Sequence, residues 1–250
     1  MIDTHAHICD SSFGNDVEEV IKRSIKNNME SILCVCPTFH ELDIFLQLRK
    51  KHPFIYGAIG IHPHDASGYR DGEQNLGIAI KEEEIVALGE IGLDYHYENS
   101  CREIQAEVFR KQLRLAKENG LPVIIHSRDA MHDTLRILGE EKIKKGVMHC
   151  FSGTVADMGT CVDMGFYISV AGPVTFPNAK LCRAIAGSVP AERLLIETDC
   201  PYLSPQPVRG KRNEPSFLKY IVERIAEIRN VTISEIDETT SRNARILFKI

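Results

Sequence analysis

The sequence lacks the long apolar runs and the leader that are typical of membrane and exported proteins. No run of about 18 or more apolar residues occurs in it, so no transmembrane helix is predicted. The first residues, MIDTHAHICD, have neither the basic segment nor the apolar segment of a secretory signal. We therefore expect a cytoplasmic location.

The sequence also lacks an excess of positive charge. Thirty Lys and Arg residues stand against 35 Asp and Glu, and the formal net charge is −5. Proteins that coat long stretches of nucleic acid usually carry a basic surface. If the ligand is a nucleic acid, we expect a small local basic cluster to hold it at an end rather than along a duplex.

The eight cysteines show no pattern typical of a disulfide framework or a zinc domain. The chain is long and has no export signal, which makes paired disulfides the less favoured interpretation. Cys34 and Cys36 form a lone C-x-C within an apolar run, without the second pair that would complete a zinc site. We expect buried, reduced thiols.

Eight short apolar segments recur along the chain with helical patterns between them, and several are almost continuously apolar, as in parallel strands covered on both faces. The predicted strands are 1–7, 31–36, 54–61, 85–93, 122–127, 146–151, 167–172 and 194–199. This alternation over 250 residues predicts an α/β fold, a single (β/α)₈ TIM barrel domain spanning residues 1–250. A doubly wound open sheet is the structural alternative.

The connections between the strands show helical spacing of apolar residues. The clearest predicted helices are 16–29, 40–51 and 101–120. In the last of these, Ile104, Val108 and Leu115 recur at helical intervals, and Gly120 ends the pattern. The Pro-rich segment 201–216 is expected to form a long loop after the eighth strand.

Polar residues lie at or near the C-terminal ends of five predicted strands, where TIM barrels carry their chemistry. A single histidine in such a place is more often a hydrogen-bonded core residue, because burying it without a partner is costly. Six polar residues at corresponding strand ends would instead converge above one end of the barrel. They are His5, His7, Glu90, His126, His149 and Asp199.

Spacing within the strands adds detail to this set. His5 and His7 are two residues apart, so both imidazoles project from the same face of a strand and can meet one ion. Asp3 lies on that face one layer deeper and is a candidate partner that orients an imidazole. Glu197 stands in the same relation to Asp199. A buried, hydrogen-bonded acid is the competing interpretation of Asp3 and Glu197.

Four imidazoles and two carboxylates are too many for one tetrahedral site, but they suit two divalent ions that share a carboxylate. The predicted division has His5, His7 and Asp199 on one ion, His126 and His149 on the other, and Glu90 between them. Two such ions suit the displacement of a phosphoryl group by an activated water. Asp199 is the candidate acceptor of the water proton, and with Glu90 it forms the predicted catalytic pair.

Seven motifs resemble those of the TatD family of metal-dependent deoxyribonucleases, and they run in order along the whole chain. They are HxH at the start, GIHPH (60–64), GEIGLDYH (89–96), HSRDA (126–130), HCFSG (149–153), ETDCPYL (197–203) and RGKRNEP (209–215). Pro177 departs from the pattern, in a loop where a polar residue is common.

The resemblance implies a barrel of the metallo-dependent hydrolase type and a cytoplasmic DNase. Its expected activity is 3′-to-5′ exonuclease cleavage of single-stranded or damaged DNA ends, and its metal positions fall on the six residues already selected. Family activity is usually described with magnesium, whereas imidazole-rich ligation favours zinc, manganese or iron. We therefore expect two divalent ions, Mg, Mn or Zn.

Further residues are candidates for contact with DNA. Two histidines follow the third strand, one arginine suits bidentate contact with a phosphate, and three cations form a basic patch in segment 201–216. A solvated run of charge is the alternative interpretation of the patch. The six candidates are His62, His64, Arg128, Arg209, Lys211 and Arg212.

Two other functions remain open from the sequence. One is a metallohydrolase that cleaves an amide, a lactone or a phosphotriester on the same barrel. Such enzymes often bridge their metals with a modified lysine on the fourth strand, and no lysine lies between Ile85 and Tyr95, which favours a nuclease. The other is a metal-binding scaffold without turnover, which the presence of all six predicted ligands disfavours.

Overall fold

Parallel strands follow one another in chain order around a closed sheet. The computed structural model describes residues 1–71, 73–82 and 84–250. Within them the eight strands are β1 Ile2–Ala6, β2 Ser31–Cys36, β3 Ile55–Ile59, β4 Ile85–Asp94, β5 Val123–Arg128, β6 Gly146–Met148, β7 Tyr167–Val170 and β8 Leu194–Ile196. β1 and β8 meet through a parallel bridge between Ala6 and Cys200. The predicted (β/α)₈ barrel is confirmed, and the open sheet is excluded.

Helices connect the strands and surround the barrel. They are α1 Val17–Lys26, α2 Phe39–Lys51, α3 Glu73–Ala79, α4 Arg102–Glu118, α5 Met131–Glu140, α6 Val155–Asp163, α7 Lys180–Ser188, α8 Leu218–Arg229 and α9 Ile233–Phe248. The predicted loop 201–216 contains two short 3-10 helices, Gln206–Val208 and Pro215–Phe217. In the part of the chain that the structure describes, no helix has the length and apolarity needed to cross a membrane.

The barrel interior holds apolar side chains from all eight strands, and α9 covers its N-terminal end. Leu247 and Phe248 of α9 pack into this inner cluster. The Asn243 side chain donates to the carbonyl oxygen of Leu194, the first residue of β8, at 2.8 Å. The Met1 ammonium lies 3.0 Å from Asp237 of the same helix. Since α9 closes this end, the opposite end of the barrel is left for a site.

Helix α4 fixes the strand ends on the site side. The expected apolar stripe is shifted, since Ile104 is exposed and two glutamines take part in the buried face. Gln112 accepts from the Ile61 N–H at 2.7 Å and donates to the Ile61 carbonyl at 3.0 Å. Gln105 makes the same reciprocal pair with the main chain of Asp94, at 2.8 and 3.0 Å. These side-chain amides provide hydrogen-bond partners for the main-chain N–H and C=O groups of Ile61, just beyond β3, and of Asp94, at the end of β4.

Two strands end three residues earlier than the sequence suggests. β6 ends at Met148 and β8 at Ile196, whereas the apolar patterns extend to residues 151 and 199. Cys150 and Asp199 have positive φ angles of 39° and 56°, which an extended strand does not allow. The chain therefore turns where the predicted metal ligands lie.

The eight thiols are free, and five of them are buried. Cys34 Sγ lies 3.4 Å from Cys9 Sγ and 3.9 Å from Cys36 Sγ, so the C-x-C pair packs with a third thiol. Cys101 contradicts the expectation of burial, because it stands at the N-terminus of α4 and is exposed.

Candidate metal centre

The six predicted ligands gather at the C-terminal end of the barrel. Five of them line a cavity of 940 Å³ there, and His5 is fully buried in contact with His7. Among the described residues of this lining, seven are acidic and only Arg128 is a permanent cation. Such an excess of negative charge in a partly enclosed space favours bound cations.

A first group of four donor atoms surrounds one point. The Nε2 atoms of His5 and His7 lie 3.1 Å apart. Glu90 Oε2 lies 3.4 and 3.8 Å from these two nitrogens, and Asp199 Oδ1 lies 3.7 and 3.6 Å from them. Ligands about 2.1 Å from a shared ion lie roughly 3–3.5 Å from one another, so this donor set fits a divalent cation.

A second group surrounds the other oxygen of Glu90. Its Oε1 lies 2.7 Å from His126 Nδ1, 3.1 Å from His149 Nε2 and 3.6 Å from His62 Nε2. The two carboxylate oxygens of Glu90 thus face two different sets of imidazoles. His62, expected only as a phosphate contact, joins the ligand group because the loop after β3 folds back over β4.

Asp94, at the end of β4, is a functional candidate that the sequence analysis missed. Its Oδ2 lies 3.0 Å from His126 Nε2 and 3.0 Å from His64 Nε2, so it holds both rings. His64 is therefore bonded to a carboxylate, so its ring is less available for contact with a phosphate than expected. Glu90 and Asp94 are four residues apart on one strand, and the spacing rule applied to His5 and His7 would have selected Asp94.

The two deeper acids differ in what they contact. Asp3 accepts from the Thr198 N–H at 2.9 Å, the Thr198 hydroxyl at 2.6 Å and the His5 main-chain N–H at 3.3 Å. It ties β1 to the segment just after β8, which agrees with the competing interpretation of a buried, hydrogen-bonded acid. Glu197 accepts from the Cys150 N–H at 2.6 Å and lies 3.0 Å from His149 Nδ1, so it orients that imidazole.

The surrounding imidazoles keep the central carboxylates ionised. Burial alone would raise the pKa of Glu90, but His149, His62 and His126 hold it well below its ordinary value. Burial also acts to raise the pKa of Asp199, and His7 with its neighbours lowers it overall. Ionised carboxylates are the form that binds a cation.

The expected substrate contacts fall in two places. Arg128 lines the cavity, with its guanidinium 4.8 Å from the centre of the Tyr97 ring. Arg209 and Lys211 lie in a neighbouring groove of 380 Å³, which shares Leu203 with the main cavity.

Arg212, also an expected substrate contact, lines the same groove and in addition makes a structural contact. Its guanidinium donates to both carboxylate oxygens of Asp16, at 2.9 and 2.6 Å, and to the Ser12 carbonyl at 2.6 Å. It also lies over the Phe13 ring. These contacts anchor segment 201–216 to the chain before α1. The positive charge of Arg212 is therefore paired with the carboxylate of Asp16.

The motifs, the fold and this donor set agree with one protein family. A family model described as TatD related DNase matches residues 2–249. The chain belongs to the TatD family. A relative, the uncharacterized metal-dependent hydrolase YabD of Bacillus subtilis (strain 168), is 46% identical over 256 residues, which cover 100% of this chain and 99% of the relative.

Two other TatD proteins are similar over almost their full lengths. The 3′-5′ ssDNA/RNA exonuclease TatD of Salmonella typhimurium is 34% identical over 258 residues, which cover 100% of this chain and 99% of that protein. The crystal structure of YJJV, a TatD homolog from Escherichia coli K12, superposes with a TM-score of 0.95 at 29% identity, covering 100% of this chain and 98% of that one.

Proposed function

We propose that this TatD-family protein is a divalent-metal-dependent nuclease that removes nucleotides from the 3′ ends of single-stranded or damaged DNA. The observation that carries the proposal is the position of Glu90, whose two oxygens face two separate groups of imidazoles. The name of the Salmonella relative, a 3′-5′ ssDNA/RNA exonuclease, supports the direction of cleavage and extends the candidate substrates to RNA.

The proposed ligands of the first ion are His5, His7, Glu90 and Asp199, and those of the second are Glu90, His126, His149 and His62. Ions held there would supply an activated water and would stabilise charge on the attacking and leaving oxygens of a phosphodiester. Mg, Mn and Zn remain the candidate metals, because the donor set mixes imidazoles with carboxylates.

The chain itself supplies the proton acceptor and the phosphate contact. Asp199 lines the cavity and is held ionised by its histidine neighbours, so we assign it the water proton. Arg128 lines the same cavity and would hold a non-bridging phosphate oxygen. Arg209 and Lys211 lie beyond Leu203, where the next phosphates of a longer strand would pass.

The proposal is tested with purified protein and a 5′-labelled single-stranded oligonucleotide. We expect a ladder of products shortened from the 3′ end when Mg²⁺ or Mn²⁺ is present, and none after chelation. An oligonucleotide with a blocked 3′ end should resist cleavage. Equal rates on the blocked and unblocked substrates would contradict the exonuclease assignment.

Hydrolysis of a smaller ester is the second candidate, and the charge of the cavity favours it. Asp10, Glu41, Asp65 and Asp129 line the cavity outside the two ligand groups, against a single guanidinium. These acids oppose the approach of a long polyanion. A small phosphodiester cleaved far faster than any oligonucleotide would favour this second function.

A further inference from the structure

Two exposed aromatic rings line the cavity of the metal centre. Tyr97 is 56% exposed and Tyr202 is 55% exposed, so part of each side chain is open to a ligand in the cavity. Tyr97 follows the end of β4, and Tyr202 lies in the segment after β8. The two rings therefore come from opposite sides of the barrel.

Each ring stands beside one end of the ligand array. The Tyr202 ring centre lies 6.1 Å from that of His7, in the first group, with the planes at 70°. The Tyr97 ring centre lies 5.5 Å from that of His64, with the planes at 86°. His64 shares Asp94 with His126 of the second group. The histidines thus meet the tyrosine rings edge to face and do not stack flat on them. The Arg128 guanidinium lies over one face of the Tyr97 ring, 4.8 Å from its centre, so a base would stack on the opposite face.

The main chain of each tyrosine is fixed to a carboxylate residue of the site. The Tyr97 N–H donates to Asp94 Oδ1 at 3.0 Å, and the Tyr202 N–H donates to the Asp199 carbonyl at 2.9 Å. The Tyr202 carbonyl accepts from the Asn213 side chain at 2.6 Å. A fixed main chain reduces the freedom that each tyrosine loses when it binds a flat ligand.

The cavity offers few cations to bind the phosphates of a nucleic acid, and these rings can supply a second kind of contact. Arg128 is the one permanent cation of the described lining, so few ion pairs with phosphates are available there. Stacking on an aromatic ring needs no cation, and any base offers a flat face to it.

We propose that Tyr97 and Tyr202 each stack on an unpaired nucleobase, one on either side of the phosphodiester over Glu90. This inference rests on the proposed nuclease function and names its substrate class, a single strand whose last bases are free. Bases inside a duplex are already stacked and paired, so they cannot occupy both rings. The tyrosines are specificity residues and take no part in proton transfer.

Kinetics on two matched substrates tests the proposal. One is a single-stranded oligonucleotide, and the other is the same strand with abasic residues in place of its last two nucleotides. We expect Tyr97→Ala and Tyr202→Ala each to raise KM about 5- to 150-fold on the first substrate, and Tyr97→Phe and Tyr202→Phe to restore it. The preference of the unaltered protein for the base-bearing strand should vanish in the double alanine variant. Tyr220→Ala, on α8 and outside the cavity lining, is the control.

A binding measurement separates this inference from the nuclease function. The chain has no tryptophan, so the fluorescence of a 2-aminopurine at the 3′ end of the strand is read without interference. We expect quenching on binding, which the alanine variants lose and the phenylalanine variants keep. Quenching of this kind without hydrolysis would support stacking and contradict the proposed nuclease function. Hydrolysis with unchanged KM, quenching and abasic preference in the alanine variants would overturn the stacking and leave the nuclease intact.

Discussion

At the scale of single residues, a few carboxylates organise the whole site. Glu90 faces two sets of imidazoles, Asp94 holds the far nitrogens of His126 and His64, and Glu197 orients His149. His126 and His149 thus each have one nitrogen directed at Glu90 and a second carboxylate on the other nitrogen that limits rotation of the ring. This is the arrangement in which metal ligands are usually held.

Asp199→Asn should lower kcat about 100- to 10,000-fold, because the amide cannot accept a proton from water. The fold should survive, since the substitution keeps the shape of the side chain. The measurement is kcat on the oligonucleotide together with the melting temperature. Near-normal turnover in this variant would rule out Asp199 as the proton acceptor.

Asp94→Asn should weaken metal affinity or activity about 10- to 100-fold, because the amide holds the His126 and His64 rings less firmly. Titration calorimetry with Mn²⁺ gives the affinity directly. Asp65→Asn is the matched control, because Asp65 lines the same cavity and its side chain bonds to no histidine among the described residues. An equal effect of the two substitutions would count against the assigned role of Asp94.

At the scale of secondary structure, close contact between neighbouring strands determines where the ligands lie. Gly92 of β4 has a φ of 146°, and a Cβ there would lie 1.9 Å from the His126 carbonyl oxygen on β5. Only glycine permits this approach. The contact places Glu90 beside His126. Within the GEIG sequence, Gly92 permits the close approach of the two strands and Glu90 supplies the carboxylate.

Gly92→Ala should destabilise the protein by about 2 kcal/mol or more, because both the φ angle and the backbone contact oppose a Cβ. Gly159→Ala is the control, since Gly159 lies inside α6 with nothing within 4 Å of the added Cβ. That change should stabilise the protein by roughly 0.5–1 kcal/mol. Urea unfolding measures both, and similar values for the two variants would refute the argument.

At the scale of the whole molecule, the barrel depends on its first strand. β1 pairs with β2 along one edge, bridges to Cys200 on the other and carries His5, and His7 follows directly after its last residue. The site and the closure of the sheet are therefore built from the same few residues. Loss of this segment affects both together.

Removal of residues 1–7 should abolish cooperative unfolding and metal binding at once, because the truncation opens the barrel and takes two ligands away. Circular dichroism on heating and metal analysis after dialysis check this outcome. A truncated chain that still melts cooperatively and cleaves DNA would show that the first strand is dispensable.

The sequence by itself determined the order of elements and selected the residues that we propose as the main metal ligands. Continuous apolar strands alternating with helices predict the barrel, and the i, i+2 spacing of His5 and His7 follows from strand geometry alone. These features depend on local periodicity, which can be recognised in a single amino-acid sequence. The seven motifs in order added the family, which the family model then showed.

Only the tertiary structure decided which distant partners meet. Arg212 and Asp16 are 196 positions apart and pair because segment 201–216 folds back on the start of α1. His62 joins Glu90 because its loop turns over the barrel, and Tyr97 and Tyr202 line the same cavity from opposite sides. Such pairings depend on loop paths and on how closely strands approach, and no periodicity in the sequence encodes them.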